Sequence, residues 1–241
     1  TGILQKPTHI SADPVSAAAE NITKQLYYVE KNNKNILLSW ILNKLEYERI
    51  LIFCRTRRGA DRLTASMKKQ NFPVDVLHGE KEQSHRQELL KAFKSGATPV
   101  LIATDLAARG IDIENISHII NFDLPNETET FVHRIGRTAR AGASGIAISF
   151  CDPTEKGYLR DIQAHLNEDL ELIEDHPFHS EQVKNYSGNV QSKHTPDKQK
   201  HVSKIREQTT WRLTPGQQSK LHAKSSGPRK NVRRNPKKKQ G

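Results

Sequence analysis

The stretch PVLIAT (99–104), continued by DLAARGIDI (105–113), carries the pattern that decides the fold. Four consecutive apolar residues lead into Thr104 and Asp105, and a glycine-containing turn follows. A short run that is apolar on both faces is typical of a strand inside a parallel sheet. In such sheets the ligand site lies beyond the carboxyl ends of the strands, so the sequence predicts a site beside these two residues.

Similar apolar runs occur on both sides of this strand and alternate with segments of helical periodicity. The alternation predicts βαβ units, and therefore an α/β fold in which helices cover both faces of a parallel sheet. The other strands are predicted at 26–29, 49–54, 74–78, 117–123 and 145–151, and the helices at 36–45, 57–70, 83–94, 127–136 and 154–166.

Charge divides the 241-residue chain into a near-neutral body and a basic tail. Residues 181–241 contain 16 Lys and Arg against three Asp and Glu, although the whole chain carries a net charge of only +11. So polar a segment cannot bury enough apolar surface to offset its chain entropy. We therefore predict a linker at 1–24, one domain at 25–177 and a disordered basic tail at 178–241.

Several classes of protein are excluded by composition. No run of 18 apolar residues suggests a membrane span, and the amino terminus does not resemble a signal peptide. Cys54 and Cys151 lie in predicted strands, too far apart for a paired zinc motif, so we expect core thiols and no metal site. A cytoplasmic protein is the expectation. Met67 is the only methionine, which suggests a piece of a longer protein.

Basic residues, hydroxyls and glycines follow several of the predicted strands. They are typical of phosphate sites, because Arg forks and helix amino termini both bind phosphate oxygens. Within 133–140, Arg137 and Arg140 lie three residues apart and project from one helix face, which favours an anion between them. The alternative is a solvated basic helix, although Gly136 and Gly142 are unusual in one. Likewise, 103–112 and 78–86 could be ordinary turns with helix caps.

Taken together, these segments resemble the C-terminal RecA-like domain of a DEAD-box ATP-dependent RNA helicase, and most closely the bacterial RhlE-like group. The resemblance covers about residues 1–177 and includes Ala139, where many members have Gly. It rests on four motifs in the family's order and spacing: LIFCRTR (51–57), HGEKEQSHR (78–86), LIATDLAARGIDI (101–113) and HRIGRTAR (133–140).

The first RecA-like domain of that family has no counterpart in this sequence. Neither G-x-x-x-x-G-K-[ST] nor Asp-Glu-Ala-Asp occurs, and these motifs hold ATP phosphates and Mg²⁺ in the family. The resemblance therefore implies that residues 1–24 are the end of the first domain and the interdomain linker. It implies ATP with Mg²⁺ as the cofactor, with the Mg²⁺ ligands on the missing domain, and a fragment that is inactive alone.

The resemblance also assigns roles to individual residues. Arg137 and Arg140 would be catalytic arginine fingers, and Gly110 and Asp112 would contact ATP. Coupling between the two domains would involve Arg109, His133 and Arg134. The RNA phosphates would be bound by Thr56, Arg57, Gly79, Arg86 and Thr104.

The implied function is that of the second motor domain of an RNA helicase that unwinds short duplexes locally. Its implied partners are RNA and the N-terminal RecA-like domain, and RhlE-like members are linked to ribosome assembly and RNA turnover. The main alternative is a stand-alone, non-catalytic RNA-binding module; a DNA helicase is a third possibility. The basic tail either tethers RNA through its charge or only solvates the chain.

Overall fold

A parallel sheet of seven strands forms the centre of the fold. The computed structural model describes residues 21–109, 116–139 and 144–188, and the structural statements below concern those residues. The strands lie in the order β3-β4-β2-β5-β6-β1-β7, and every neighbouring pair is parallel. They are β1 (Ile22–Tyr28), β2 (Ile50–Phe53), β3 (Val74–Leu77), β4 (Val100–Ala103), β5 (His118–Asn121), β6 (Gly145–Cys151) and β7 (Glu171–Leu172).

Helices cover both faces of this sheet, which confirms the predicted α/β class. α1 and α2 pack on one face, and α3 to α6 pack on the other. Residues 50–53, 100–103 and 118–121 in the three adjacent inner strands β2, β4 and β5 are buried throughout, as expected of strands covered on both faces. The helices are α1 (Lys34–Lys44), α2 (Arg57–Lys69), α3 (Gln83–Lys94), α4 (Asp105–Ala108), α5 (Thr128–Ile135), α6 (Lys156–Leu166) and α7 (Glu181–Lys184).

Local caps fix where individual helices begin and end. Thr56 caps α2, because its Oγ1 accepts a hydrogen bond from the N–H of Gly59 at 3.1 Å. A Cβ at position 59 would lie only 2.9 Å from that oxygen, so the cap requires glycine there. Asn167 ends α6 in the left-handed conformation at φ 52°.

The described fold continues past residue 177, where the sequence placed the end of the domain. Ser180 donates its N–H to the carbonyl of Tyr28 at 3.2 Å, and Val183 of α7 is fully buried. One apolar residue in a polar segment gives no periodic signal, so this extension could not be predicted. Residues 1–20 and 189–241, most of the predicted linker and tail, lie outside the described residues. No helix among the described ranges is long and apolar enough to cross a membrane.

Candidate functional site

A cavity of about 250 Å³ opens at the carboxyl edge of the sheet, beside the ends of β2 and β4. It brings together residues that are distant in sequence, from the turn after β4 and from α5. Four residues that the resemblance assigned to catalysis or interdomain coupling lie in its wall. The lining residues are Phe53, Asp105, Ala108, Arg109, Thr130, His133, Arg134 and Arg137.

Helical spacing explains how α5 presents its part of this wall. Thr130, His133 and Arg137 are three and four residues apart, so they lie on one face of α5 and of the turn that continues it. The opposite face places Phe131 and Ile135 in the core. Packing therefore fixes the side of the helix that faces the cavity.

Arg134 forms the buried floor of the cavity. Its Nε and Nη2 donate to the two carboxylate oxygens of Asp105 at 2.6 and 2.8 Å. Its Nη1 donates to Asn121 Oδ1 at 3.0 Å and to the carbonyl of Asp123 at 2.7 Å, and its guanidinium lies 4.8 Å from the ring centre of Phe53. The structure thus places Arg134 inside this domain, joining β4 to α5, whereas the resemblance expected it to reach across to another domain.

Two arginines and a histidine lie at the mouth of the cavity. Asp105 balances the charge of Arg134 at the floor, while Arg109 and His133 are exposed and Arg137 is half-buried at the rim. Guanidinium groups bind phosphate oxygens two at a time, so this arrangement suits a phosphorylated ligand. This is the edge at which the sequence predicted an anion site.

The turn after α5 is held by tight packing. The Thr138 hydroxyl is buried and donates to the carbonyl of Ile116. A Cβ on Gly145 would lie 2.2 Å from Thr138 Oγ1, so glycine is needed where β6 begins. Arg137 is therefore anchored to the strand beside it. Three other predicted site residues, Gly110, Asp112 and Arg140, lie outside the described residues.

The five predicted RNA contacts occupy the same edge, next to the cavity, but differ in exposure. Thr56, Arg57 and Gly79 are exposed at the start of α2 and after β3. Arg86 is half-buried and donates to the carbonyls of His78 at 3.5 Å and Ala107 at 3.3 Å. Arg86 therefore ties two loops of this edge together.

Thr104 is the fifth of these predicted contacts, and it is largely buried at 7% exposure. Its N–H donates to the carbonyl of Leu77 at 3.3 Å, which joins the end of β4 to the end of β3. Like Arg86, it is placed to hold the loops that carry the exposed residues.

A buried ion cluster lies beside these residues and was not predicted. Lys34 is 2% exposed, and its Nζ lies 2.6 Å from Glu155 Oε2, 3.1 Å from Asp152 Oδ2 and 3.8 Å from Asp123 Oδ1. Burial alone would lower the pKa of Lys34, but the three carboxylates outweigh it and raise that pKa. Burial likewise acts to raise the pKa of Asp152, but Lys34 and hydrogen bonds hold it below its usual range.

Arg55 completes this cluster from the end of β2. Its Nη2 donates to Glu155 Oε1 at 2.7 Å and to the carbonyl of Leu124 at 2.9 Å. The cluster thus clamps the carboxyl ends of β2, β5 and β6 and forms the floor of a second cavity of about 380 Å³. Nothing in the local sequence around Lys34 indicates it, because its partners are about 90 to 120 residues away.

The described residues include two cysteines and one group of potential metal ligands, and neither is arranged as a reactive site. Cys54 and Cys151 are fully buried, and burial raises the pKa of both thiols well above its usual value, which makes them inert. Glu174, His179 and Glu181 bring potential ligand atoms within 4.8 Å of one another. The ammonium of Lys184 contacts both glutamates, so a cation already balances that group.

The fold and the cationic edge together define a RecA-like domain. A family model, the helicase conserved C-terminal domain, matches residues 32–142. A DEAD-box protein, SrmB of E. coli in complex with regulator of ribonuclease activity A, is 36% identical over 63% of this chain and 90% of that chain, with a TM-score of 0.61. The chain belongs to the family of C-terminal helicase domains of DEAD-box proteins.

Two further relatives are much longer than the part that this chain matches. S. cerevisiae Dbp5, solved with RNA and ADP BeF3, is 33% identical over 63% of this chain and 41% of its own, with a TM-score of 0.59. The ATP-dependent RNA helicase DbpA of Bacillus subtilis is 42% identical over 171 residues, which are 71% of this chain. The chain spans only 36% of that curated relative.

Proposed function

We propose that this chain acts as the second motor domain of an ATP-dependent RNA helicase. The observation that carries the proposal is the cavity whose mouth is lined by Arg109, His133 and Arg137 above the Asp105–Arg134 pair. That mouth lies where parallel sheets bind their ligands. A partner domain that presents bound nucleotide to this edge would complete an ATP site.

The residues of this domain bind and orient charge in that site. ATP with Mg²⁺ supplies the phosphoryl group that is transferred to water. Arg137, with Arg140, stabilises the negative charge that develops on the phosphoryl oxygens, a role worth about 10³–10⁵ in rate. Gly110 and Asp112 contact the nucleotide, as the family's motifs imply.

Coupling between the domains depends on the exposed residues of the cavity. His133 and Arg109, which are exposed at the mouth, are the residues proposed to contact the first domain and the RNA. Arg134, in contrast, acts within this domain, where its bidentate bond to Asp105 orients α5 and therefore Arg137.

RNA binds along the same edge through its phosphates. Thr56, Arg57 and Gly79 supply the exposed contacts, while Arg86 and Thr104 hold the loops in place. Contacts of this kind are independent of sequence, as local unwinding of varied duplexes requires. The similarity to Dbp5, which was solved with RNA, supports this part of the proposal.

The finer assignments follow from the sequence resemblance. We propose a bacterial, cytoplasmic helicase of the RhlE-like group that acts in ribosome assembly or RNA turnover. A start codon next to Thr1 would instead favour the alternative, a stand-alone RNA-binding module. Upstream coding sequence with a phosphate-binding loop and an Asp-Glu-Ala-Asp motif would support the motor.

The test is the variant Arg137→Ala in a protein that also contains the first RecA-like domain. RNA-stimulated ATP turnover is expected to fall by about 10³-fold or more, while RNA affinity is retained, because the arginine acts on the transition state. Arg160→Ala is the matched control, since Arg160 is an exposed arginine on the neighbouring α6. An equal loss of turnover and RNA affinity would contradict the finger role, and ATP turnover by the 241-residue chain alone would contradict the division into two domains.

A further inference from the structure

One of the predicted RNA contacts, Arg57, is already bonded to a carboxylate. Its Nη1 donates to Glu80 Oε1 at 2.5 Å, across from the first turn of α2 to the loop after β3. Both side chains are more than half exposed, at 55% and 63%. An exposed ion pair contributes little to stability, so folding does not account for this contact.

The backbone on both sides of the pair is fixed. Arg57 follows the Thr56 cap at the start of α2. Glu80 follows His78, which is buried and lies 3.0 Å from Asp61 of α2 through its Nε2. The carbonyl of His78 also accepts the N–H of Lys81 at 3.2 Å. The fold therefore holds the carboxylate opposite the guanidinium.

Carboxylate and phosphate oxygens bind an arginine in the same way. Next to the pair, a Cβ on Gly79 would meet no atom within 4 Å, so the surface there is open to an approaching strand. We propose that Glu80 occupies the place of an RNA phosphate on Arg57 and competes with RNA for that arginine. The inference rests on the proposed function, because it takes the edge of α2 as part of the RNA surface.

Competition has two measurable consequences. RNA must displace Glu80 before it binds Arg57, which lowers the affinity by about two- to fivefold, the range of an exposed ion pair. The exchange also releases less net salt, since Glu80 recruits a cation when it loses Arg57. When Glu80 binds Arg57 again, it favours the release of RNA, which a helicase needs after unwinding.

The experiment compares Glu80→Gln with Asp75→Asn in the full 241-residue chain. Asp75 is the matched control, because it forms a second ion pair with α2 through Lys68 at 2.6 Å and loses the same charge. Binding of a labelled uridine decamer is measured by fluorescence anisotropy over a range of salt. Glu80→Gln is expected to tighten binding by about two- to fivefold and to steepen the slope of log affinity against log salt by about 0.7.

Two further variants separate the possible outcomes. In the double variant Arg57→Gln/Glu80→Gln the gain is expected to disappear, because Glu80 acts only through Arg57. If Glu80→Gln matches Asp75→Asn while Arg57→Gln still weakens binding, the competition is wrong and the RNA surface stands. If Arg57→Gln also leaves binding unchanged, the RNA surface itself is wrong.

Discussion

At the scale of the residue, Ala139 has an unfavourable backbone conformation next to the cavity that Arg137 lines. It has φ 54°, in the left-handed region that a side chain with a Cβ disfavours. It follows Thr138, whose buried hydroxyl fixes the turn, so the backbone cannot relax. The turn that positions Arg137 is therefore strained at a residue where the DEAD-box family often has glycine.

We expect Ala139→Gly to stabilise the domain by about 0.5–1 kcal/mol. The left-handed conformation costs alanine about 1–2 kcal/mol, and glycine avoids that cost. The greater conformational freedom of glycine in the unfolded chain offsets part of this stabilisation. Ala65→Gly is the control, because Ala65 is exposed within α2, where the same change should destabilise by about 1 kcal/mol. Urea unfolding measures both, and a loss of stability in both variants would mean that position 139 is not strained.

Residue types alone predicted which edge carries the basic residues but not how they are arranged. The polar end of β4 and the basic residues of 133–140 were expected at one edge, and their described members line the cavity there. The helix that was expected to carry both Arg137 and Arg140 ends at Ile135. Arg134, however, was expected to point outward with its neighbours. Its direction follows from Asp105 and Asn121, 29 and 13 residues away, whose positions only the folded sheet defines.

At the scale of the element, the helices of eight or more residues and the four-residue strands β2 to β5 were predicted close to their bounds. α2, for example, was predicted at 57–70 and spans Arg57–Lys69. β1 was predicted only at 26–29, but it spans Ile22–Tyr28 and so begins inside the predicted linker 1–24. The missed elements are α4, β7 and α7, which have four, two and four residues. A four-residue helix contains about one turn and a two-residue strand a single alternation, so no pattern repeats and contacts with the rest of the fold determine these elements.

The segment between β7 and α7 depends on a buried histidine. The His176 ring lies 5.1 Å from that of Tyr27, 6.4 Å from Trp40 and 5.7 Å from His179. Neither of its ring nitrogens has a hydrogen-bond partner within the described ranges. Burial, with the nearby His179, lowers the pKa of His176 against the opposing effect of Asp175.

Acid should therefore destabilise this domain before its carboxylates titrate. The pKa of such a histidine is lower in the folded than in the unfolded protein, so protons bind preferentially to the unfolded state below about pH 6.5, the unfolded value. The free energy of unfolding is therefore unaffected above that pH and decreases as the pH falls below it. His118, whose pKa burial also lowers, acts in the same direction. We expect the free energy of unfolding to decrease between about pH 7 and 5.

The variant His176→Phe is expected to flatten this pH dependence by up to about 1.4 kcal/mol per pH unit, the equivalent of one proton. Chemical denaturation at several pH values measures the slope. His85→Gln provides the comparison, because it removes an exposed histidine on α3 rather than a buried one. Equal slopes in the wild type and His176→Phe would show that this ring does not titrate on unfolding.

At the scale of the whole molecule, the proposed function gives the carboxyl edge of one sheet two ligands. In that proposal the cavity beside α5 receives the nucleotide, and the start of α2 contacts RNA. Arg86 and Thr104 connect the loops between them, from β3 through β4 to α4. If both ligands bind as proposed, these hydrogen bonds form a short path by which a movement at one ligand would reach the other.

The basic segment that follows the described fold is expected to bind RNA through its charge. Residues 189–241 contain 15 Lys and Arg against two Asp and Glu. Deleting them should weaken RNA binding, because fewer counterions are then released from the RNA. The salt slope should flatten by about 0.7 for each phosphate that the segment neutralises, while the melting temperature is retained.

Deleting 178–241 should in addition destabilise the fold by about 2 kcal/mol, because Val183 is fully buried and Ser180 bonds to β1. Comparing the two truncations by thermal melting and by anisotropy separates charge from packing. RNA binding that is unchanged in the shorter deletion would reduce the basic segment to a solvating role. Equal stability of the two truncations would instead return the domain boundary to residue 177, as the sequence first indicated.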